Sequence, residues 1–296
     1  MHMLRALAVL AALPLIASAA TPPQHLFPPF RIIGNLYYVG EDDLTSYLIV
    51  TPKGNILINT GFEFSAPEIQ ARIKMLGFRP SDLKILLVTH AHSDHAAGMA
   101  TMKRTTGAKM WAIEQEAPLL ESGGKTDFFF GINGWFNPVQ IDHVFKDGDK
   151  IELGGTEITA HLTPGHTKGS TSYSLDVAEN GRTYHVLIAN LPNLNEGVPL
   201  LHNPNYPKIV QDYARAFDAL KQLPCDVFLA SHAGQFHMLQ KYRPGMPYKT
   251  ETFVDPDGYQ WALQRSEIAF FRELDEQRQE EQATRDHLHF KDVIPQ

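Results

Sequence analysis

The chain has 296 residues, 26 Lys plus Arg against 33 Asp plus Glu for a formal net charge of −7, and 43% hydrophobic, 10% aromatic and 20% charged residues. That is the make-up of a packed globular protein, and it excludes disordered, collagen-like and coiled-coil classes. The acidic balance, with no basic cluster, also speaks against nucleic acid as a partner, because neutralising phosphates takes grouped Lys and Arg.

Residues 1–20 (MHMLRALAVLAALPLIASAA) place Arg5 ahead of an apolar run that ends in Ser18, Ala19 and Ala20. This is the pattern of a secretory signal peptide cleaved near Ala20. The run is shorter than the roughly 20 residues of a membrane span, and no later stretch is long or apolar enough to serve as one. The expectation is therefore a protein exported to the periplasm and free of the membrane. Export gives access to disulfides, yet Cys225 is the only cysteine. Stability is left to the core or to metal.

Beyond a proline-rich lead, β-branched runs at 32–39, 47–50 and 55–59 read as hairpin strands. Ser65 and Glu68 have capping-box spacing with Pro67 in the first turn, and Ile69, Ile73 and Leu76 follow at helical spacing until Gly77. A buried strand at 84–89 and a short helix stopping near Gly107 make a βα unit. Further strands are expected at 150–153, 156–161, 171–177 and 184–189. A helix over 207–222 carries Ile209, Tyr213, Ala216, Phe217 and Leu220 on one face. A strand at 225–230 and a polar helix at 258–278 close the chain. Two strand-rich halves with helices predict an α/β fold of two packed sheets with helices outside, as one catalytic domain over 21–296.

Histidine placement carries the chemistry. Thr89-His90-Ala91-His92-Ser93-Asp94-His95 follows the apolar strand directly, setting four candidate ligands within six residues. The carboxyl end of a buried strand is where an α/β sheet opens into a cleft. Neutral imidazole and carboxylate are zinc ligands, and a catalytic zinc takes three from the protein and keeps a position open. His166 in Thr-Pro-Gly-His-Thr-Lys-Gly-Ser and His232 in Ala-Ser-His-Ala-Gly stand at comparable strand ends, beside Gly or Pro that let the backbone turn. His25, His143, His161, His185, His202, His237, His287 and His289 stand apart and read as surface or structural residues.

The His-x-His-x-Asp-His stretch resembles the hallmark of the metallo-β-lactamase superfamily. Over nearly the whole chain after residue 20, the sequence is similar to the subclass B3 metallo-β-lactamases, through Glu121-Ser-Gly-Gly-Lys-Thr-Asp-Phe128, Thr163-Pro-Gly-His-Thr-Lys-Gly-Ser170, Asn203-Pro-Asn-Tyr-Pro207, Leu223-Pro-Cys-Asp-Val227 and Phe253-Val-Asp-Pro-Asp-Gly258. The resemblance implies an αββα sandwich, two mixed sheets face to face with helices outside. It implies two zinc ions, the first on His90, His92 and His166 and the second on Asp94, His95 and His232. It implies hydrolysis of the β-lactam amide of penicillins, cephalosporins and carbapenems by a zinc-held hydroxide that Asp94 orients, conferring antibiotic resistance. The partner is then a small-molecule β-lactam, and the protein a monomer.

Cys225 does not match the cysteine ligand of other subclasses and reads as a core thiol. Trp135 and Phe136 are candidates for an apolar wall over the cleft. Asn193 or Asn195 falls where relatives hold the substrate carboxylate, and Lys168 stands where the family often has proline. Asn59 replaces an Asp common in the superfamily, keeping hydrogen-bonding reach and losing a charge. No Gly-x-Ser-x-Gly elbow supports a serine hydrolase. The competing readings are another hydrolase of the superfamily, acting on a lactone, thioester or phosphodiester, and a non-catalytic zinc-binding protein.

Overall fold

Short runs of branched apolar residues, split by Gly, Asn and Asp, fold as strands because such side chains pack well on a pleated surface. The structure, a computed structural model, describes residues 27–293, with side chains to residue 287. Its strands are β1 (Phe30–Ile33), β2 (Leu36–Tyr38), β3 (Tyr47–Thr51), β4 (Gly54–Ile58), β5 (Leu83–Leu87), β6 (Lys109–Ile113), β7 (His143–Phe145), β8 (Lys150–Leu153), β9 (Thr156–Leu162), β10 (Thr171–Glu179), β11 (Arg182–Ala189) and β12 (Val227–Ala230). Its helices are α1 (Ser65–Met75), α2 (Ser93–Ala96), α3 (Met99–Thr106), α4 (Ala117–Ser122), α5 (Ile209–Lys221), α6 (Met238–Lys241) and α7 (Pro256–Val293).

One sheet runs β1 to β7 in sequence order, and the other runs β12-β11-β10-β9-β8. Both are mixed. The first is antiparallel from β1 to β4 and parallel from β4 to β7, while in the second only β11 and β12 pair in parallel. Alternation along the strands sorts residues between two layers. Ile56, Ile58, Ile85 and Leu87 join the core shared with Ile151, Ile158, Val177 and Val186 of the second sheet. Leu57, Leu86 and Met110 join Ile69, Ile73, Met99 and Met102 of α1 and α3 instead. Each fully buried side chain of this kind stabilises the fold by roughly 1.5–3 kcal/mol, and a one-residue slip of β4 would exchange the two sets. On the far side α5 and α7 cover the second sheet, with Tyr213 stacked on Phe270 at 4.7 Å between ring centres. The αββα sandwich expected from the sequence is the fold observed.

Four features differ from expectation. The single strand foreseen at 32–39 is two, divided at Gly34 (φ +51), where a Cβ would meet the Val177 side chain at 2.2 Å. The Ser65/Glu68 capping box does not form. Ser65 is buried within α1 and its hydroxyl donates to the Glu41 carboxylate, while Glu68 turns to Arg72 at 3.2 Å. Strands β6 and β7 carry little β-branched signal, and parallel pairing, β6 to β5 and β7 to β6, makes them strands. Helix α7 begins at Pro256, where Gly258 N–H donates to Asp255 Oδ1 at 2.9 Å, and its polar helix formers continue it to Val293. Cys225 is half-buried and free, its thiol pushed up to about 12 by burial. No helix among the described residues is long and apolar enough to cross a membrane. The signal peptide expected at 1–20 lies outside the described residues.

Candidate metal centre

The site is built where chain segments leave the carboxyl ends of β5, β9, β11 and β12. At the end of β4, Asn59 takes a left-handed backbone (φ 65), which asparagine tolerates well. Its Oδ1 accepts from the Thr89 backbone N–H at 2.9 Å and lies 3.2 Å from the Thr89 hydroxyl, so the amide anchors the histidine loop without a charge. Residues 90–92 then run into α2, whose one turn carries Asp94 and His95. His166 comes from the β9–β10 loop and His232 from the end of β12.

Each of four imidazoles has one nitrogen turned toward an outer group. His90 Nδ1 lies 2.8 Å from Asn190 Oδ1, His166 Nδ1 2.7 Å from the Asn193 carbonyl, and His232 Nδ1 3.0 Å from Asp43 Oδ2. His92 Nε2 faces Asp127 Oδ2 at 3.4 Å, and neither atom has another partner. These contacts fix tautomers and leave the remaining nitrogens to converge. One ligand atom from each of His90, His92 and His166 lies within 4.8 Å of the others, and His90, Asp94 and His95 form a second such group. His95 Nε2 is 3.1 Å from both Asp94 Oδ2 and His232 Nε2, and His232 Nε2 is 3.5 Å from Asp94 Oδ2. His166 and His232, far apart in sequence, thus meet the 90–95 segment, and all six residues expected from the sequence come together.

The electrostatics follow from crowding. Burial and the facing imidazoles hold His90 well below the usual histidine range and His166 at about 3. Burial lowers His95 too, partly opposed by Asp94. Burial works to raise the Asp94 carboxyl, but its hydrogen bond with His95 and the surrounding imidazoles hold it well below the carboxylate range. His90, His95 and His166 are therefore neutral beside an ionised Asp94 at neutral pH, and imidazole with carboxylate is a donor set that zinc selects. With Zn–N near 2.0–2.1 Å, tetrahedral ligand atoms stand about 3.3 Å apart. The 3.1, 3.1 and 3.5 Å separations among His95, His232 and Asp94 match that spacing. Two ring nitrogens 3.1 Å apart in a buried site would otherwise have to share one proton.

The family profile described as "Metallo-beta-lactamase superfamily" matches residues 39–232. Native FEZ-1 metallo-β-lactamase from Legionella gormanii is 46% identical, with a TM-score of 0.83 over 85% of this chain and 97% of that one. The class B3 di-zinc metallo-β-lactamase LRA-12 from an Alaskan soil metagenome is 43% identical, with a TM-score of 0.81 over 83% and 94%. The chain belongs to the metallo-β-lactamase superfamily, among its class B3 members. Matches to curated proteins are more partial. An uncharacterized protein of Mycobacterium bovis is 31% identical over 105 residues, 32% of this chain, and the chain spans under half of that relative's length, 45%.

Beside the histidine–aspartate cluster of this metallo-β-lactamase fold lies a cleft of about 350 Å³, lined by Asp94, His92, His166 and His232 together with Phe62, Phe130 and Asn195. Of the four residues singled out for substrate, Asn195 is in the cleft lining and the other three are not. Phe136 is only 3% exposed and packs into the helix-side core, over Gly123 and Gly124, whose missing Cβ atoms leave it room. Trp135 is exposed and is not among the lining residues, with the Lys125 ammonium 5.8 Å from its ring centre. Phe62 and Phe130 form the apolar wall instead. Asn193 turns its side chain to the Ser266 hydroxyl at 2.8 Å, and its carbonyl faces His166. Asn195 alone of the four lines the cleft. Lys168 is exposed over the Tyr206 ring at 5.4 Å.

Sequence reasoning missed Asp43, Glu116 and Asp127 as supporting groups. Asp127 sits within the quoted Glu121–Phe128 stretch, and its Oδ1 accepts from the backbone N–H groups of Phe129 and Phe130 at 2.9 and 2.7 Å. Glu116 follows β6, so strand-end position was the available signal, hidden because β6 itself was not foreseen. Asp43 has no local signal, because the contact with His232 spans 189 residues.

Proposed function

We propose that this protein is a zinc-dependent β-lactamase that opens the β-lactam amide of penicillins, cephalosporins and carbapenems, with two ions held on the residues assembled above. The observation that carries the two-site reading is the convergence of Asp94, His95 and His232 at zinc-ligand spacing beside a separate trio of His90, His92 and His166. Zinc bound there supplies Lewis acidity toward the lactam carbonyl and brings a water pKa down to about 7. The chain's residues do the rest. Asp94, kept ionised, offers its second carboxylate oxygen to a proton of the attacking water and fixes that water's orientation. Phe62 and Phe130 cover the apolar part of the substrate and exclude solvent. The amide of Asn195, in the cleft lining, donates to the substrate carboxylate. Removal of residues 1–20 on export to the periplasm completes the proposal, with the enzyme acting as a monomer.

The test is a panel of β-lactams, with a lactone and a thioester, assayed for ring opening or cleavage before and after chelation. β-Lactam turnover that disappears with the metal and returns with added zinc is expected. Steady lactone or thioester turnover with every β-lactam untouched would replace this reading by the other hydrolase one. Zinc binding with no turnover of any kind would leave only metal storage.

A further inference from the structure

We infer that Glu116 is a positioning residue whose buried carboxylate ties together the two chain segments bearing His90, His92 and His166. The inference rests on the two-site reading above. Glu116 is 2% exposed and outside the cleft, and its hydrogen-bond partners are Ala91, Thr167 and Gly169 rather than any ligand side chain. Its Oε1 accepts from the Ala91 backbone N–H at 2.5 Å, and Ala91 lies between His90 and His92. Its Oε2 accepts from the Gly169 backbone N–H at 2.9 Å, and the Thr167 hydroxyl, on the residue after His166, lies 2.8 and 2.9 Å from the two oxygens. Every hydrogen-bond partner is an N–H or O–H donor and none is a cation, so the carboxylate is held by dipoles that both histidine segments supply. A buried carboxylate is costly unless such partners satisfy it, which makes the arrangement specific to this separation of the two segments. Gly169 has a space requirement as well. A Cβ there would stand 2.3 Å from the Glu116 backbone nitrogen and 2.6 Å from its Oε2.

All three ligands of the first site lie on the two tied segments. Of the second site, Asp94 and His95 ride on α2 and His232 is held by Asp43, neither through Glu116. Loss of the carboxylate should therefore loosen one site and spare the other. Glu116→Gln keeps the volume, but its NH₂ group must face either the Ala91 or the Gly169 N–H, donor against donor.

The experiment follows the histidine ring NMR signals of chelator-treated protein as buffered zinc is raised. For Glu116→Gln the free zinc that half-saturates His90, His92 and His166 should rise 10- to 100-fold, while that for His95 and His232 stays at its wild-type value. Thr167→Val, which removes one donor and keeps the branched shape, should give the same selective shift in smaller size. Gly169→Ala combined with Glu116→Gln should be non-additive, because both act on one contact. Equal shifts at both histidine sets, or no shift in a folded variant, overturn the inference; if Glu116→Gln does not fold, Thr167→Val decides by the same criteria. Wild-type protein whose histidine signals ignore zinc would overturn the metal reading itself, a distinct result.

Discussion

Asp127→Asn probes how an imidazole is kept in the right tautomer. Asp127 Oδ1 accepts from two backbone N–H groups at 2.9 and 2.7 Å, and Oδ2 faces His92 Nε2 at 3.4 Å. Turning the new amide so that its NH₂ met those N–H groups would set donor against donor at both contacts, so the NH₂ must face His92. A donor at that position favours the tautomer with a bare Nε2 and a proton on Nδ1, which removes the lone pair offered to the metal. Carboxylate partners of ligand histidines are typically worth 10- to 100-fold in metal affinity, or about 1.4–2.7 kcal/mol. Because the turn contacts at Oδ1 survive, the metal-free protein should melt close to wild type. Competition with a chromophoric chelator should show the weakened zinc binding, and β-lactam turnover at limiting zinc should fall while excess zinc restores much of it. Wild-type zinc affinity in a folded Asp127→Asn variant would show that Asp127 does not set the His92 tautomer.

Two further outcomes are expected. In chelator-treated protein His90, His95 and His166 are held below the unfolded value of about 6.5, so the unfolded chain binds more protons in acid and stability falls as pH drops from about 6.5 toward 3, by up to about 1.4 kcal/mol per pH unit for each group. Glu116, raised by burial to about 7, works the opposite way between about pH 7 and 4.5 and offsets one of the three; urea midpoints that do not decline from pH 6.5 to 5 would contradict this. Phe270→Ala removes a ring packed against Tyr213 and Phe217 at 4.7 and 5.8 Å between ring centres and should cost about 3–5 kcal/mol, read from urea unfolding of the zinc-free protein. A loss below about 1 kcal/mol would show that α5 and α7 repack without it.

The ligand set and much of the fold are written in local pattern. Strand ends followed by histidine, the 90–95 cluster and the apolar faces of α5 are short-range signals, because period and turn chemistry act over a few residues. Ser65 and Glu68 show the limit. Their spacing satisfies a capping box, yet burial brings Glu41 to Ser65, and a tertiary partner overrides the local one. Phe136 and Asn193 sit at the right place in sequence for a substrate wall and a carboxylate holder, but packing turns one into the core and commits the other to Ser266.

Local pattern supplies the inventory: five imidazoles and a carboxylate at strand ends, in a chain whose two strand-rich halves must bury their faces against each other. Which nitrogen of each histidine is spoken for, and by whom, is set by contacts between distant segments. Asn190 lies 100 residues from His90, Asp43 189 from His232, and Glu116 reaches both Ala91 and Thr167 across 25 and 51 residues. Such pairings depend on where separate segments come to rest, and no local periodicity encodes that distance.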